Sequence, residues 1–369
     1  MGIIRTLLAI SVIVAHSTPI LGFTLVGGST AVQAFYIISG FYMALILNEK
    51  YVSQEGSYQL FITNRLMRLY PVYWVVLVCS ILIYYVSYQY GSPNIFRFYA
   101  EYFSRMDLST QVLLMFENTF ILFMDFAFYF GLDEETGTLL FTRNFNEVEP
   151  AMYLFSFVPQ AWTISVEITF YLIAPFLVRR NLLAIGLVMA LSIGLRMLLY
   201  TNGLDHAPWT YQFFPTELVF FMLGVISYRL YRSDYSYVKS SKVGKILFLL
   251  TLTLILLYQF APEFVLKKVV LYLVLAASLP SVFNLFKSNK RDRFIGELSY
   301  PIYISHKIVL FVVSMGFFPK VESVGTTCAI VSILVSMLLL LFIINPIEKF
   351  RQRRVIAPSK PTAARLSVG

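Results

Sequence analysis

A histidine, a glutamate and an arginine lie in apolar stretches of this sequence, where ionisable side chains are uncommon. His16 follows Arg5 by eleven residues, and Glu167 interrupts another apolar stretch much further along the chain. In a helix, a step of eleven residues is about three turns and about 16.5 Å, so Arg5 and His16 project from nearly the same face. A buried carboxylate can orient an imidazole and keep it basic. The sequence therefore predicts a proton-accepting pair, His16 and Glu167, at one end of a path that begins at Arg5.

The same residues also allow a structural interpretation. A lone histidine in an apolar helix commonly hydrogen-bonds a neighbouring helix, and His16 taken alone fits that role. Glu217 is a weaker candidate for the accompanying carboxylate. His306 fits a packing role and a supporting role equally well, whereas His206 is expected to be solvated in a loop. Because a charge inside a membrane segment costs at least a few kcal/mol, the presence of Glu167 favours a functional role.

Two further arginines precede a proline at the start of another apolar stretch. Arg65 and Arg68 are three residues apart, hence on one helix face, just before Pro71. They are compatible with an ordinary positive anchor at the cytoplasmic end of a membrane helix. The planar guanidinium also suits phosphate, so together with Arg5 they are candidates for holding a nucleotide-containing donor.

Patterns typical of other chemistries are absent from the sequence. It has no glycine-rich phosphate loop, no cluster of metal ligands and no nucleophile elbow. Cys79 and Cys328 lie far apart in apolar stretches, so neither a disulfide framework nor a zinc site is indicated. We therefore expect no metal, no permanently bound cofactor and no redox or ATP-driven reaction.

The segments that carry these residues are too apolar for a water-soluble protein. Of the 369 residues, 58% are hydrophobic and 13% are charged. Apolar stretches of about 20 residues recur, a length that spans the hydrocarbon core of a bilayer as a helix. We therefore predict an all-α, polytopic membrane protein of about ten transmembrane helices. The predicted spans are 3–22, 29–48, 69–90, 160–178, 181–200, 212–230, 245–261, 267–285, 299–317 and 325–345.

The basic residues predict how these helices are oriented. The chain has 29 Lys and Arg against 20 Asp and Glu, an excess that in a soluble protein would suggest nucleic acid. Here the basic residues concentrate in alternate loops and in the tail 349–369, which predicts that these segments and both termini are cytoplasmic. No nucleic-acid partner is expected. The long loop of about 91–159 is then outside. Counting the apolar segment 111–131 as another span would place most of the later basic residues outside, against the usual charge distribution. We therefore predict that this segment is not a span but an amphipathic or re-entrant element of the outer loop, which holds the acceptor.

Several motifs, taken in order, resemble those of the acyltransferase 3 family of membrane acyltransferases. Arg5 and His16 have the spacing of its R-x10-H motif. The other matching segments are 27–41 (GGSTAVQAFYIISGF), 65–73 (RLMRLYPVY), 162–175 (WTISVEITFYLIAP) and 296–306 (GELSYPIYISH). The sequence departs from the family pattern in two places. The family's usual Asp-Gly does not precede Arg5. Near the end of the domain the family has Glu before Pro (E-x-P), whereas residues 345–348 have Pro346 before Glu348, so Glu348 is given no role.

This resemblance implies a membrane acyltransferase domain over residues 1–348, in a bacterial cytoplasmic (inner) membrane. The donor it implies is cytoplasmic acyl-CoA, most often acetyl-CoA, and the acceptor is a hydroxyl of a glycan or lipid-linked glycan at the outer face. Two mechanisms are compatible with these residues: direct transfer, and transfer through an acylated side chain. The expected roles are a general base at His16, assisted by Glu167; donor binding by Arg5, Arg65 and Arg68; and a pocket lined by Trp162 and Ser39.

The alternative from another functional class is a transporter or flippase of a glycan or acylated intermediate. Transporters also place charged residues along a membrane path, but they often contain paired short or broken helices in corresponding halves. No such pairing is visible in this sequence. A membrane scaffold, the third possibility, leaves the burial of His16 and Glu167 unexplained.

Overall fold

The structure, a computed structural model, describes residues 1–51, 57–233, 235–264, 266–319 and 321–356. It is nearly all α-helical, as predicted. The helices are α1 (Gly2–His16), α2 (Gly28–Glu49), α3 (Ser57–Gln89), α4 (Ile95–Tyr102), α5 (Leu108–Phe120), α6 (Trp162–Leu177), α7 (Leu182–Thr201), α8 (Phe214–Arg232), α9 (Ser236–Lys239), α10 (Ser241–Leu257), α11 (Lys267–Phe286), α12 (Lys290–Ser314), α13 (Val324–Leu339) and α14 (Asn345–Ile356). A π-helical turn, Leu340–Ile344, joins α13 to α14.

Every predicted span falls on a helix, but the helices differ in their ability to cross a membrane alone. Within the described residues, six helical segments are long and apolar enough to do so. These segments are Gly28–Glu49, Tyr58–Gln89, Leu182–Thr201, Ser241–Phe260, Lys267–Phe286 and Val324–Arg354. The others, α1, α6, α8 and α12, are shorter or more polar. The chain is therefore a multi-pass membrane protein, and the exact number of crossings stays a prediction.

Helices α2 and α8 cross with their backbones in close contact. A Cβ atom on Gly40 of α2 would lie 2.0 Å from the carbonyl oxygen of Phe221, and one on Gly224 of α8 would lie 2.0 Å from that of Ile37. Small residues that allow such an approach are typical of helix packing in membranes. The crossing fixes the position of α2, which carries Ser39 next to the contact.

Helices α1 and α12 lie side by side and run in the same direction. At one end, a Cβ atom on Gly2 would lie 1.7 Å from the carbonyl oxygen of Asp292. The carboxylate of Asp292 also accepts hydrogen bonds from the Met1 amino group at 2.6 Å and from the Gly2 amide at 2.8 Å. At the other end the pair brings His16 against His306. The glycine contact therefore sets the register that aligns the two histidines.

The first helix is shorter than predicted. The sequence predicts a span over 3–22, whereas α1 ends at His16. Pro19 disfavours helical conformation at the preceding residue, and the chain then makes a tight turn in which Leu21 and Gly22 have φ of 49° and 79°. His16 is consequently the last residue of its helix and not the middle of a membrane span.

The segment 111–131 is not a continuous helix. Helix α5 ends at Phe120, and a 3-10 helix and a short antiparallel hairpin, β1 (Phe130–Leu132) and β2 (Leu139–Phe141), follow it. Thirteen helical residues extend about 20 Å, less than the thickness of a bilayer core. The segment therefore does not add a crossing as a single straight helix.

Helix α5 turns its polar side inward. Glu117 and Asn118 are buried, whereas Val112, Met115 and Phe120 are exposed. An exposed apolar face on a helix is typical of a segment that contacts lipid. The structure thus shows an amphipathic element in the long loop after α3, with its apolar side facing away from the protein.

Both ends of α5 are hydrogen-bonded. At its start, side-chain and backbone hydrogen bonds from Ser109 and Thr110 lower the pKa of the Asp107 carboxyl to about 2, and the Thr110 amide lies 2.9 Å from that carboxyl. At its end, Trp74 of α3 donates from its indole nitrogen to a backbone carbonyl at 2.8 Å, and Tyr73 donates to another. These contacts satisfy backbone groups that a helix end leaves open and hold α5 against α3.

The predicted basic tail, 349–369, begins as helix. Residues up to Ile356 belong to α14, which packs against α3. Arg354 donates hydrogen bonds to the side chains of Asn64 at 3.2 Å and Thr63 at 3.1 Å. The rest of the tail, 357–369, lies outside the described residues.

Candidate active site

Three cavities lie in a row through the helical domain. We name them inner, middle and outer in the order in which they follow α1 from its start to its end. The inner cavity, about 290 Å³, has Arg5 and Arg68 on its wall. The middle cavity, about 100 Å³, shares these two arginines and adds Glu167. The outer cavity, about 700 Å³, is lined by His16. Tyr303 lines both the middle and the outer cavity, so each cavity adjoins the next.

The inner cavity is rich in positive charge. Arg5 from α1, Arg68 from α3, Lys287 and Arg293 line its wall together with two carboxylates, Asp292 and Glu297. Asp292 is already paired with the Met1 amino group. The Arg5 guanidinium lies 5.9 Å from the ring centre of Tyr42. Guanidinium groups at the mouth of a cavity are suited to phosphate oxygens. This part of the site has the charge expected of an anion-binding pocket, and donor binding by Arg5 and Arg68 stays a prediction.

Arg65 does not join the other two arginines. It lines neither the inner nor the middle cavity. Its guanidinium lies 5.9 Å from the ring centre of Phe61 on its own helix, and its side chain is buried. Three residues are a little less than one helical turn, so Arg65 stays near Arg68 on α3, and their charges repel each other. Arg65 is nevertheless buried within the protein, whereas Arg68 lines the cavity.

Glu167 occupies the middle cavity, where it accepts two short hydrogen bonds. The hydroxyls of Ser39 and Tyr171 both donate to its Oε1 atom, each at 2.6 Å. Tyr171 lies one turn further along α6, and Ser39 belongs to α2. The three side chains therefore join α2 to α6 at the narrowest part of the row of cavities. Arg5 lines the same cavity, which places a positive charge opposite the carboxylate.

The predicted pairing of His16 with Glu167 is not formed. His16 lines the outer cavity and Glu167 the middle one. Trp162, at the start of α6, lines the outer cavity with His16, and Glu167 comes five residues later. Five residues advance a helix by about 7.5 Å, so the carboxylate lies roughly that much deeper. The two predicted catalytic residues are on one path but at different depths.

The neighbour of His16 is instead His306 of α12. The two rings stack with their centres 5.3 Å apart and their planes at 21°. His306 Nδ1 lies 2.5 Å from the backbone carbonyl of Tyr303. A carbonyl only accepts, so Nδ1 carries the hydrogen and Nε2 keeps a lone pair. His16 is exposed in the open cavity, whereas His306 is fully buried behind it. His306 therefore supports the ring that faces the cavity.

The wall of the outer cavity is aromatic, with amide side chains between the rings. Trp162 meets Tyr211 edge to face at 4.7 Å, and Phe128 stacks on Tyr153 at 5.0 Å. Phe128 and Tyr153 come from the long loop after α3, so the loop forms part of the cavity. Trp162 lines this cavity, and its contact with a substrate stays a prediction. Ser39 lines the middle cavity instead.

Glu217, the weaker candidate for a catalytic carboxylate, belongs to a separate network. Its Oε1 atom accepts hydrogen bonds from Arg196 at 2.6 Å and from Gln33 at 3.1 Å. Tyr272 donates to the side-chain carbonyl of Gln33 at 2.6 Å. A buried carboxylate needs such partners to be tolerated. The group ties α2, α7, α8 and α11 together, away from His16.

Lys307 is the residue of this site that the sequence analysis missed. It follows His306 on α12 and lines the outer cavity. It lies inside the predicted span 299–317, where a charged side chain is costly and is itself a signal of function. The neighbouring motif, 296–306, ends at His306 and is a second signal, because Lys307 follows that histidine directly.

Comparison with known proteins adds one match. A family model described as an acyltransferase domain matches residues 1–345, which include every residue that lines the three cavities. No curated protein and no solved structure matches the chain. The match agrees with the motifs from R-x10-H to 296–306. The chain belongs to the acyltransferase 3 family and is a membrane acyltransferase.

Proposed function

We propose that this membrane acyltransferase transfers an acyl group, acetyl in the first instance, from cytoplasmic acyl-CoA to a hydroxyl of a cell-surface or exported glycan. O-antigen, exopolysaccharide or a lipid-linked precursor would serve as the acceptor, and the enzyme would act in a bacterial inner membrane. The observation that carries the proposal is the row of cavities, which runs from the arginines at one end to His16 at the other.

The proposal includes an orientation in the membrane. About ten helices cross, and both termini are cytoplasmic. Arg5, Arg68, Lys287 and Arg293 line the inner cavity, in keeping with the accumulation of positive charge on the cytoplasmic side. The loop of about 91–159 contributes to the wall of the outer cavity. The donor would thus enter from one side and the acceptor from the other.

Donor binding follows from the charges of the inner cavity. Arg5 and Arg68 would hold the phosphates of acyl-CoA, and its flexible pantetheine arm would pass through the middle cavity. Arg5 and His16 lie about 16.5 Å apart along α1. This separation gives the phosphates and the thioester different binding places. Glu167, held by two hydroxyls, lines the passage and does not act on the histidine.

The chemical step is assigned to His16. Its imidazole takes the proton from the acceptor hydroxyl, and the hydroxyl oxygen attacks the thioester carbonyl. The new C–O bond forms, the C–S bond breaks, and the CoA thiolate takes the proton back from the imidazolium. His306 keeps the ring of His16 in place by stacking against it.

Replacement of His16 by alanine tests the assignment. In proteoliposomes with acetyl-CoA and an oligosaccharide acceptor, H16A is expected to lower kcat by about 10²- to 10⁴-fold, the usual contribution of a general base. H206A is the matched control, because His206 lines none of the three cavities. Retained transfer by H16A would overturn the role of His16. Movement of glycan across the membrane without consumption of acetyl-CoA would instead favour a transporter or flippase.

A further inference from the structure

The outer cavity contains a positive charge that no carboxylate balances. Lys307 projects from α12 into its wall, and the residues that line the cavity include no Asp or Glu. Among the residues that the structure describes, Lys307 forms no ion pair within 4.0 Å. An unpaired ammonium inside a membrane domain is costly. The cavity is therefore incomplete without an anion.

The charge lies beside the histidines. Lys307 follows His306 directly, and the ring of His306 stacks on that of His16 at 5.3 Å. Neither imidazole can neutralise an ammonium, since a histidine is neutral or positive. An anion bound by Lys307 would thus lie close to the hydroxyl that His16 deprotonates, within the same or the adjoining sugar ring.

The rest of the wall fits the uncharged part of a sugar. Trp162 and Tyr211 offer aromatic faces. The amide side chains of Gln160 and Gln212 belong to the same wall. Amide carbonyls accept hydrogen bonds, and sugar hydroxyls donate them. The cavity therefore combines a place for one anion with surroundings for neutral hydroxyls.

We propose that Lys307 binds a carboxylate or phosphate of the acceptor, so that the enzyme selects an acidic glycan. This inference rests on the proposed function, because it names the acceptor class for the same site. Two sources would supply the anion. One is a uronic acid in the glycan, and the other is the phosphate that joins a glycan to its lipid carrier.

The test compares a charged acceptor with its neutral ester, and it adds a lipid-linked acceptor whose charge lies in its pyrophosphate. The acceptors are a disaccharide containing glucuronic acid, its neutral methyl ester, and a neutral disaccharide joined to a polyprenol through pyrophosphate. The full chain in proteoliposomes is assayed for acetyl transfer, and equilibrium binding of each acceptor is measured without acetyl-CoA. The variants are K307Q and K307R. K268Q is the control, because Lys268 is exposed and lines no cavity.

The expected result is a preference that depends on the ammonium. The natural protein should bind one anionic acceptor about tenfold or more tightly than the methyl ester, as expected for a charge-assisted hydrogen bond. K307Q should abolish the preference, K307R should keep most of it, and K268Q should leave it unchanged. Whether the glucuronic acid acceptor or the pyrophosphate-linked acceptor depends on Lys307 for its binding shows which of the two sources supplies the anion. Tight binding of an acidic acceptor without any transfer would refute the proposed function and keep the anion site.

Two results would overturn the inference. One is equal binding of the acidic and neutral acceptors by the natural protein. The other is a K307Q variant that lowers kcat equally for every acceptor and leaves binding unchanged, which would mean that Lys307 stabilises charge in the reaction itself. Size-exclusion profiles of K307Q and K307R exclude misfolding as the cause of either result.

Discussion

Replacing Arg5, Arg68 and Arg65 one at a time by glutamine separates the arginines that bind the donor from the one that packs. Arg5 and Arg68 line the inner cavity, whereas Arg65 lies against Phe61 inside the protein. R5Q and R68Q are therefore expected to raise the KM for acetyl-CoA. R65Q is expected to leave that KM unchanged and to lower the amount of folded protein.

The size of the effect follows from the contacts that are lost. A hydrogen bond to a charged group contributes about 1.5–3 kcal/mol, and each 1.4 kcal/mol is a factor of about ten. R5Q and R68Q should thus each raise the KM by about 10- to 150-fold. Both arginines would contact the same phosphates, so the double variant should lose less than the sum of the two single losses.

The assay measures initial rates of acetyl transfer in proteoliposomes over a range of acetyl-CoA concentrations. The acceptor KM serves as an internal control, because neither Arg5 nor Arg68 lines the outer cavity. A similar rise in donor KM for R65Q would refute the reasoning. So would a rise in acceptor KM for R5Q without a change in donor KM.

Two further predictions concern the helices that frame the site. G40A should destabilise the protein by about 1–3 kcal/mol or more, because the added Cβ would lie 2.0 Å from the carbonyl oxygen of Phe221. In the control G186A, the added Cβ has no atom within 4 Å, so the melting temperature of this variant in detergent should be unchanged or slightly higher. An equal fall in melting temperature for both variants would contradict the close contact of α2 and α8. H306F keeps a ring against His16 but loses the ring nitrogens, and it should lower kcat without changing either KM. A kcat equal to that of the natural protein would show that the ring alone suffices.

The occurrence of the helices could be predicted from the sequence, and so could the shared face of Arg5 and His16 on α1. Both depend on local sequence pattern. Apolar stretches of sufficient length become helices wherever they occur in the chain. Arg5 and His16 belong to one helix, so their spacing alone determines that they face the same side. The structure places them at the inner and outer cavities, which is the arrangement expected from that spacing.

The contacts between helices could not be predicted in the same way. Whether Glu167 meets His16 depends on how deep α6 lies relative to α1, and a single sequence contains no measure of that depth. The partnership of His16 and His306 depends on the close packing of Gly2 against Asp292 at the other end of the helix pair. The sequence shows each of these residues, but the register between the helices appears only in the folded protein.

The small middle cavity has a consequence for the energy supply of the cell. A bacterial inner membrane, the location proposed above, stores energy as a proton gradient. Wide aqueous cavities that met from both faces would let protons leak through the protein and dissipate this gradient. The constriction of about 100 Å³ separates the larger cavities on either side. The carboxylate of Glu167 and the hydroxyls of Ser39 and Tyr171 are hydrogen-bonded to one another there and link α2 to α6. In the proposed orientation, the narrow pantetheine arm of the donor would pass through this constriction without opening a continuous aqueous channel across the membrane.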